Sequence, residues 1–207
     1  SKNASYIEFI GDQLVSHIEL LQNPTTKLFA HGSHKGETLW NYWGRGNAWM
    51  SLSAVEFLDA CEVLGIKPNS LEVVKKALRE QLLALIPLLP EYGIWDVLVD
   101  HQVENKGVLE TSATAGLGAA MIRAIRHFPD LKKDLSQVGT KAIAASLTYV
   151  DSSGVLTRTS AGTVLQLIPF GYSVIRSDRM QLWGQGLASN AISVMLEPDK
   201  NFVAINN

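Results

Sequence analysis

The chain has 207 residues, 46% of them hydrophobic and 18% charged, with a formal net charge of −2 and a pI near 6.2. That length favours one domain, 1–207, apolar enough to bury roughly 70% of its unfolded surface. No basic stripe is present, so nucleic acid is not an expected partner, and an anionic ligand would need local positive charge because no global field would steer it.

Helical periodicity dominates and strand signals are scarce. The first helix is expected over about 4–22, with Tyr6, Ile10, Leu14, Ile18 and Leu21 on one face and Pro24 ending it. A long polar loop follows, from Thr25 to about Tyr42, and holds His31, Gly32, His34 and Gly36. Loops of that length often carry function. The second helix starts near Gly46 or Asn47 and reaches Leu64, where Gly65 stops it. Ser70 is a good N-cap for a third helix, Leu71 to about Ile86. Leu71, Val74, Leu78, Leu82 and Leu85 form its apolar stripe, opposite Glu72, Lys75, Lys76, Arg79 and Glu80. Pro87 and Pro90 close it.

A second long connection holds Trp95 and Asp96 and reaches Glu110. The fourth helix, about Thr111 to Phe128, is rich in alanine and glycine and apolar nearly all round, as in a helix buried on most sides. A fifth covers about Leu135 to Val150. A third long connection, with Ser160-Ala161-Gly162-Thr163, runs to about Met180, and a last helix begins near Trp183 or Gly184 and ends before Pro198. Small-residue helices thus alternate with amphipathic ones. That pattern points to an all-α fold with an inner and an outer ring, built from about six helices in three hairpins.

Most familiar chemistries are excluded by what the chain lacks. There is no Gly-x-Ser-x-Gly elbow, no phosphate loop, and Gly184-Gln185-Gly186 has neither a preceding strand nor a third glycine. The single Cys61 rules out an intrachain disulfide and lies in an apolar helical run, as a small hydrophobe. His31 and His34 stand at a spacing that suits a metal, but no third ligand of the right type is near, so no metal site is expected. His17 and His127 fall on helices and read as surface or structural. His101 reads as loop polarity, and Asp96 as a loop brace. No apolar run is long enough for a membrane span and no signal sequence is read at Ser1, so no membrane partner is expected and a soluble chain, cytoplasmic or secreted, is the expectation.

The most informative stretch is Trp43-Gly44-Arg45-Gly46-Asn47-Ala48-Trp49. An indole face stacks on the apolar face of a sugar, and a guanidinium fork matches a carboxylate. The glycines allow backbone to approach a ligand. Each buried charge-assisted bond to a carboxylate contributes roughly 1.5–3 kcal/mol, enough to select an acidic sugar over a neutral one. Read alone, the stretch fits a buried helix start with Arg45 in a structural ion pair equally well.

With its neighbours the chain resembles the unsaturated glucuronyl and rhamnogalacturonyl hydrolases, glycoside hydrolase families 88 and 105, most closely the rhamnogalacturonyl group. The matching segments are Leu28-Phe29-Ala30-His31-Gly32, Trp43 to Trp49, Gly93-Ile94-Trp95 and Leu109 to Ala115, in order along most of the chain. The resemblance implies a six-hairpin (α/α)6 toroid, of which this chain supplies about half, as its C-terminal portion. It implies removal of a 4,5-unsaturated uronic acid from lyase-generated oligosaccharides: an acid protonates C4, water adds at C5, and the hemiketal opens. Retaining-versus-inverting carboxylate logic does not apply to such a reaction. No cofactor is implied.

Carried over by position, His31, Trp43, Arg45 and Trp49 become substrate-binding residues. Arg45 would meet the uronate, the two indoles would wall the pocket, and His31 would bond the sugar or the attacking water. The family's catalytic aspartate lies N-terminal to the His-Gly loop. No residue here matches it, and Asp12 lacks the expected aromatic and acidic neighbours. The expected partners are therefore an unsaturated-uronate oligosaccharide and an N-terminal segment or second chain that completes the ring. The alternative reading is a non-catalytic carbohydrate-binding or interaction protein derived from such a barrel.

Overall fold

The computed structural model describes residues 4–196. Helix α1 (Ala4–Leu21) starts and ends close to expectation, and the C-terminal part of its expected face, Leu14 with Ile18 and Leu21, turns inward, but the N-terminal part does not. Ile7, Gly11 and Leu14 are buried and Ile18 partly so, while Tyr6 and Ile10 are exposed. The helix carries two apolar stripes, and Gly11 selects between them. A Cβ at Gly11 would lie 2.0 Å from Ser70 Oγ, so only the glycine face can close on the start of α3 (Leu71–Leu85). The same packing explains why Ser70 makes no side-chain capping bond: its hydroxyl is pressed against α1.

The polar loop after α1 contains a feature missing from the helical reading, an antiparallel hairpin of β1 (Gly32–His34) and β2 (Glu37–Leu39). Its two-residue turn, Lys35-Gly36, has both residues at positive φ, 51° and 85°. Hairpin turns favour such geometry because it matches the strand twist, but Lys-Gly is a weaker sequence signal than Asn-Gly.

Helix α2 (Gly44–Leu64) begins two to three residues earlier than expected and ends at Gly65, whose φ of 66° places it in the left-handed region. Helix α4 (Thr111–Ala124) is shorter than expected, and every residue in it except Ile122 is buried. Helix α5 (Lys132–Leu147) starts earlier and stops earlier than expected, after a 3-10 turn at Pro129–Leu131. The third connection carries the one-turn helix α6 (Phe170–Ser173), and the last helix, α7, spans Leu182–Leu196.

Helix α4 is the hub and packs on α2, α5 and α7. Its small residues make this possible. A Cβ at Gly118 would lie 3.0 Å from the Gly139 carbonyl on α5, and one at Gly116 would meet Leu187 of α7 and Ala48 of α2 at 3.0 and 3.1 Å. The inner layer is therefore α2, α4 and α7, with α3 and α5 outside. Among the described residues two hairpins are complete, α2/α3 and α4/α5. Among the described residues α1 and α7 have no hairpin partner. Both end helices keep apolar side chains in solvent, Phe9 and Leu20 on α1 and Ile192, Met195 and Leu196 on α7. No helix is long and apolar enough to cross a membrane among the described residues.

Candidate functional site

Three helix N-termini meet at one end of the inner layer. Arg45 lies in the first turn of α2, Ser112 in that of α4 and Trp183 in that of α7. Arg45 Nη1 donates to Ser112 Oγ at 3.2 Å, and its guanidinium carbon sits over the rings of Trp43 and Trp183 at 4.6 and 5.2 Å. Each helix start carries partial positive charge on its unpaired N–H groups. The carboxylate of Glu110, the N-cap residue of α4, faces the same helix starts and pairs with Arg45.

The cleft at this point has a volume of about 210 Å³ and is lined by Trp43, Arg45, Trp49, Gly162, Thr163 and Trp183. That is below the roughly 300–1,000 Å³ of drug-sized ligand pockets, so it suits one sugar ring rather than an oligomer. Trp49 is exposed, and Trp43 is buried apart from its cleft-facing edge. The structure thus brings Trp43, Arg45 and Trp49 to one cleft. His31 stands behind Trp43, with ring centroids 4.3 Å apart.

Arg45 is 2% exposed and its donors are directed at the protein. Nη1 reaches Glu110 Oε1 at 3.4 Å and the carbonyl and hydroxyl of Ser160 at 3.0 Å, and Nη2 reaches the Ala161 carbonyl at 3.0 Å and Thr163 Oγ1 at 3.3 Å. Glu110 is fully buried and also accepts from Ser112 Oγ and from the amide and hydroxyl of Ser160. Burial lowers the pKa of Arg45, and the charge of Glu110 works against that. Arg45 and Glu110 therefore clamp the segment 160–163 over the helix starts. Trp183 Nε1 donates to the Ser160 carbonyl at 3.2 Å and ties the third helix to the same segment.

The rest of the Trp43–Trp49 stretch is architectural. Gly44 is needed because a Cβ there would meet Ala113 Cβ at 3.1 Å and the Asp96 carbonyl at 3.3 Å, and a Cβ at Gly46 would strike the Trp43 ring. The backbone approach that these glycines allow is to the protein itself. Asn47 pairs with the Phe29 backbone through both ends of its amide, at 2.9 Å each. That fastens the loop leading into His31.

His31 Nδ1 lies 2.7 Å from the Tyr172 hydroxyl on α6. Burial, with the facing charge of Arg45, pushes the imidazole down to about 4, so it is neutral at physiological pH. Tyr172 is fully buried, and burial pushes its phenol up to about 12. Asp96 is a buried brace that accepts from Tyr92 at 2.9 Å. His127 joins Arg123 on Asp59, away from the cleft. His34 is an exposed hairpin residue and His101 an exposed loop residue. Among the described residues no group of three metal-ligating side chains gathers.

Glu110, Ser160, Thr163, Tyr172 and Trp183 were not singled out from the sequence as site residues. Glu110 and Ser112 lie in a stretch with a readable family pattern. Tyr172 and the segment 160–163 lie in an irregular connection with no periodic signal, and Trp183 read only as a helix start.

The chain is 32% identical over 191 residues to the unsaturated rhamnogalacturonyl hydrolase YesR of Bacillus subtilis (strain 168), a match covering 91% of this chain and 52% of that protein. Two solved structures described as possible members of the GH105 family superpose closely. The one from Salmonella enterica serovar Paratyphi A has a TM-score of 0.81 at 28% identity, and the one from Klebsiella pneumoniae a TM-score of 0.81 at 26%. Each match covers 93% of this chain and 50% of the other. The chain spans about half the length of the relatives it matches, and it takes about half of their six-hairpin helical toroid, in line with the all-α expectation. Residues 1–197 match the model of Glycosyl Hydrolase Family 88, and the chain belongs to that family.

Proposed function

We propose that this chain is the sugar-gripping half of an unsaturated-uronyl glycoside hydrolase. The whole protein removes a 4,5-unsaturated uronic acid from the non-reducing end of lyase-generated oligosaccharides of the pectin or rhamnogalacturonan type, by hydration of the vinyl ether. One observation carries the reading: three helix N-termini and three indoles, Trp43, Trp49 and Trp183, converge on a cleft the size of one sugar ring. Indole faces pack on the ring, and helix N-termini favour its carboxylate.

Arg45 has a double part in this reading. Its donors hold the segment 160–163, and its guanidinium, neutralised by Glu110, braces the rings of Trp43 and Trp183 that wall the cleft. It does not need a free fork to do so. His31 stands behind Trp43 rather than lining the cleft, and this reading gives its neutral imidazole to a sugar hydroxyl or attacking water that reaches past Trp43.

Glu110, beside the cleft, is fully buried and engaged by four donors, so the proton donor of this reading comes from outside the chain. The relatives' greater length and the uncovered apolar stripes of α1 and α7 support a ring completed by an N-terminal segment or a second chain. Among the described residues the cleft lining holds no carboxylate, which favours a second reading, a carbohydrate-binding protein without turnover. Full-length protein incubated with lyase-generated disaccharides distinguishes the two. The enzyme abolishes the ultraviolet absorbance of the conjugated double bond. Calorimetric binding with unchanged absorbance establishes the binding protein, and neither signal with any unsaturated uronide refutes both.

A further inference from the structure

A neutral imidazole has one donor and one acceptor nitrogen, and the partner of one nitrogen decides what the other offers. For His31 that partner is Tyr172, at 2.7 Å from Nδ1. The direction of the bond follows from the phenol. Its oxygen receives the Gln166 backbone N–H at 3.4 Å, and an amide nitrogen cannot accept in return. Tyr172 is fully buried, and a buried O–H without an acceptor costs about 1–3 kcal/mol. Among the described residues the acceptor within reach of that proton is His31 Nδ1. The hydroxyl keeps its proton at neutral pH, since burial pushes the phenol far above the working range.

The phenol is also held in place. Asn41 Nδ2 donates to the Gln166 carbonyl at 2.9 Å, and Asn105 Nδ2 donates to the Pro169 carbonyl at 2.8 Å. Both bonds pin the chain just before Tyr172, at positions six and three residues upstream of it. The imidazole is pinned in turn against Trp43. Nε2 has no hydrogen-bond partner among the described residues.

We propose that Tyr172 is the positioning residue of His31: its hydroxyl donates to Nδ1, which makes Nε2 the protonated nitrogen and a hydrogen-bond donor for the bound sugar or its water. The assignment of the sugar as the acceptor rests on the function proposed above. The bond to Tyr172 does not. The bond requires a neutral ring, and burial with the facing charge of Arg45 keeps His31 neutral. Only that neutral form leaves Nδ1 free to accept from Tyr172.

The test is the ¹⁵N spectrum of the His31 ring in this chain and in Tyr172→Phe, a change that keeps the ring volume and removes one hydroxyl. The wild type is expected to show the Nε2–H tautomer and to titrate near 4. In Tyr172→Phe the two tautomers mix, while the midpoint stays low because burial and Arg45 remain. In the full-length protein kcat/KM toward an unsaturated disaccharide falls about tenfold, the scale of one hydrogen bond. An Nδ1–H tautomer in the wild type overturns the proposal. So does an unchanged tautomer balance in Tyr172→Phe, even with lowered activity, because loss of packing lowers activity without moving the ring proton. If the full-length protein turns over no unsaturated uronide, the sugar reading falls, and the ring spectrum still decides what Tyr172 does to His31.

Discussion

Glu110→Gln probes directly how the cleft is held together. Glu110 is fully buried, and its two oxygens accept from the Ser112 hydroxyl, the amide and hydroxyl of Ser160, and Arg45 Nη1 at 3.4 Å. Glutamine keeps the shape but turns one oxygen into an NH₂ group. Facing Ser160, that group meets the amide N–H donor to donor. Facing Ser112 and Arg45, it meets the guanidinium. In either orientation hydrogen bonds are lost, and a 2%-exposed Arg45 is left without a counter-ion. Removing one member of a buried ion pair costs about 3–5 kcal/mol. The carbonyls of Ser160 and Ala161, which also accept from Arg45, place the expectation in the lower half of that range. At roughly 2–4 °C per kcal/mol for a chain of this size, the melting temperature falls by about 6–16 °C. Thermal melts followed by circular dichroism measure it. A fall under about 2 °C would show that the clamp has little ionic content and refute the reasoning.

Three further outcomes follow from named contacts. Arg45→Lys replaces a planar fork that reaches Ser160, Ala161 and Thr163 at once by a single ammonium, so kcat/KM of the full-length protein is expected to fall about 100-fold, and activity within threefold of wild type would remove Arg45 from the site. The folded pKa of His31, about 4, lies below the ordinary value, so between about 6.5 and 4 the unfolded chain binds a proton that the folded chain does not. Stability is therefore full above that window and is lost as the pH falls through it. Melts at pH 7 and 5 should show a larger loss for wild type than for His31→Gln, and equal losses would contradict the burial of a neutral ring. Gly118→Ala places a methyl 2.7 Å from Ile143 Cγ1 and should cost about 1–3 kcal/mol, whereas Gly186→Ala, with nothing within 4 Å, should add about 0.5–1 kcal/mol. Urea midpoints read both, and equal shifts would discredit the α4/α5 contact.

The helical frame was legible because it is written in local periodicity. The stripe of α3, the alanine and glycine run of α4, and Gly65 after α2 each state their role within one element. The Trp43–Trp49 stretch was equally legible as a candidate grip, since its residue types and spacing belong to one helix start. What no local pattern contains is a choice between equivalent faces or partners. Whether α1 buries Ile10 or Ile7 depends on Gly11 meeting Ser70, 59 positions along the chain. Whether Arg45 offers a free fork or a clamp depends on Glu110 and on Ser160 to Thr163, 65 to 118 positions away. The tautomer of His31 depends on Tyr172, 141 positions away in a connection with no periodicity. The sequence by itself determined the long helices and the residue types available at the cleft, because propensity and patterning act over a few residues. The tertiary structure alone decided which donors meet which acceptors, because burial leaves those pairs no solvent alternative.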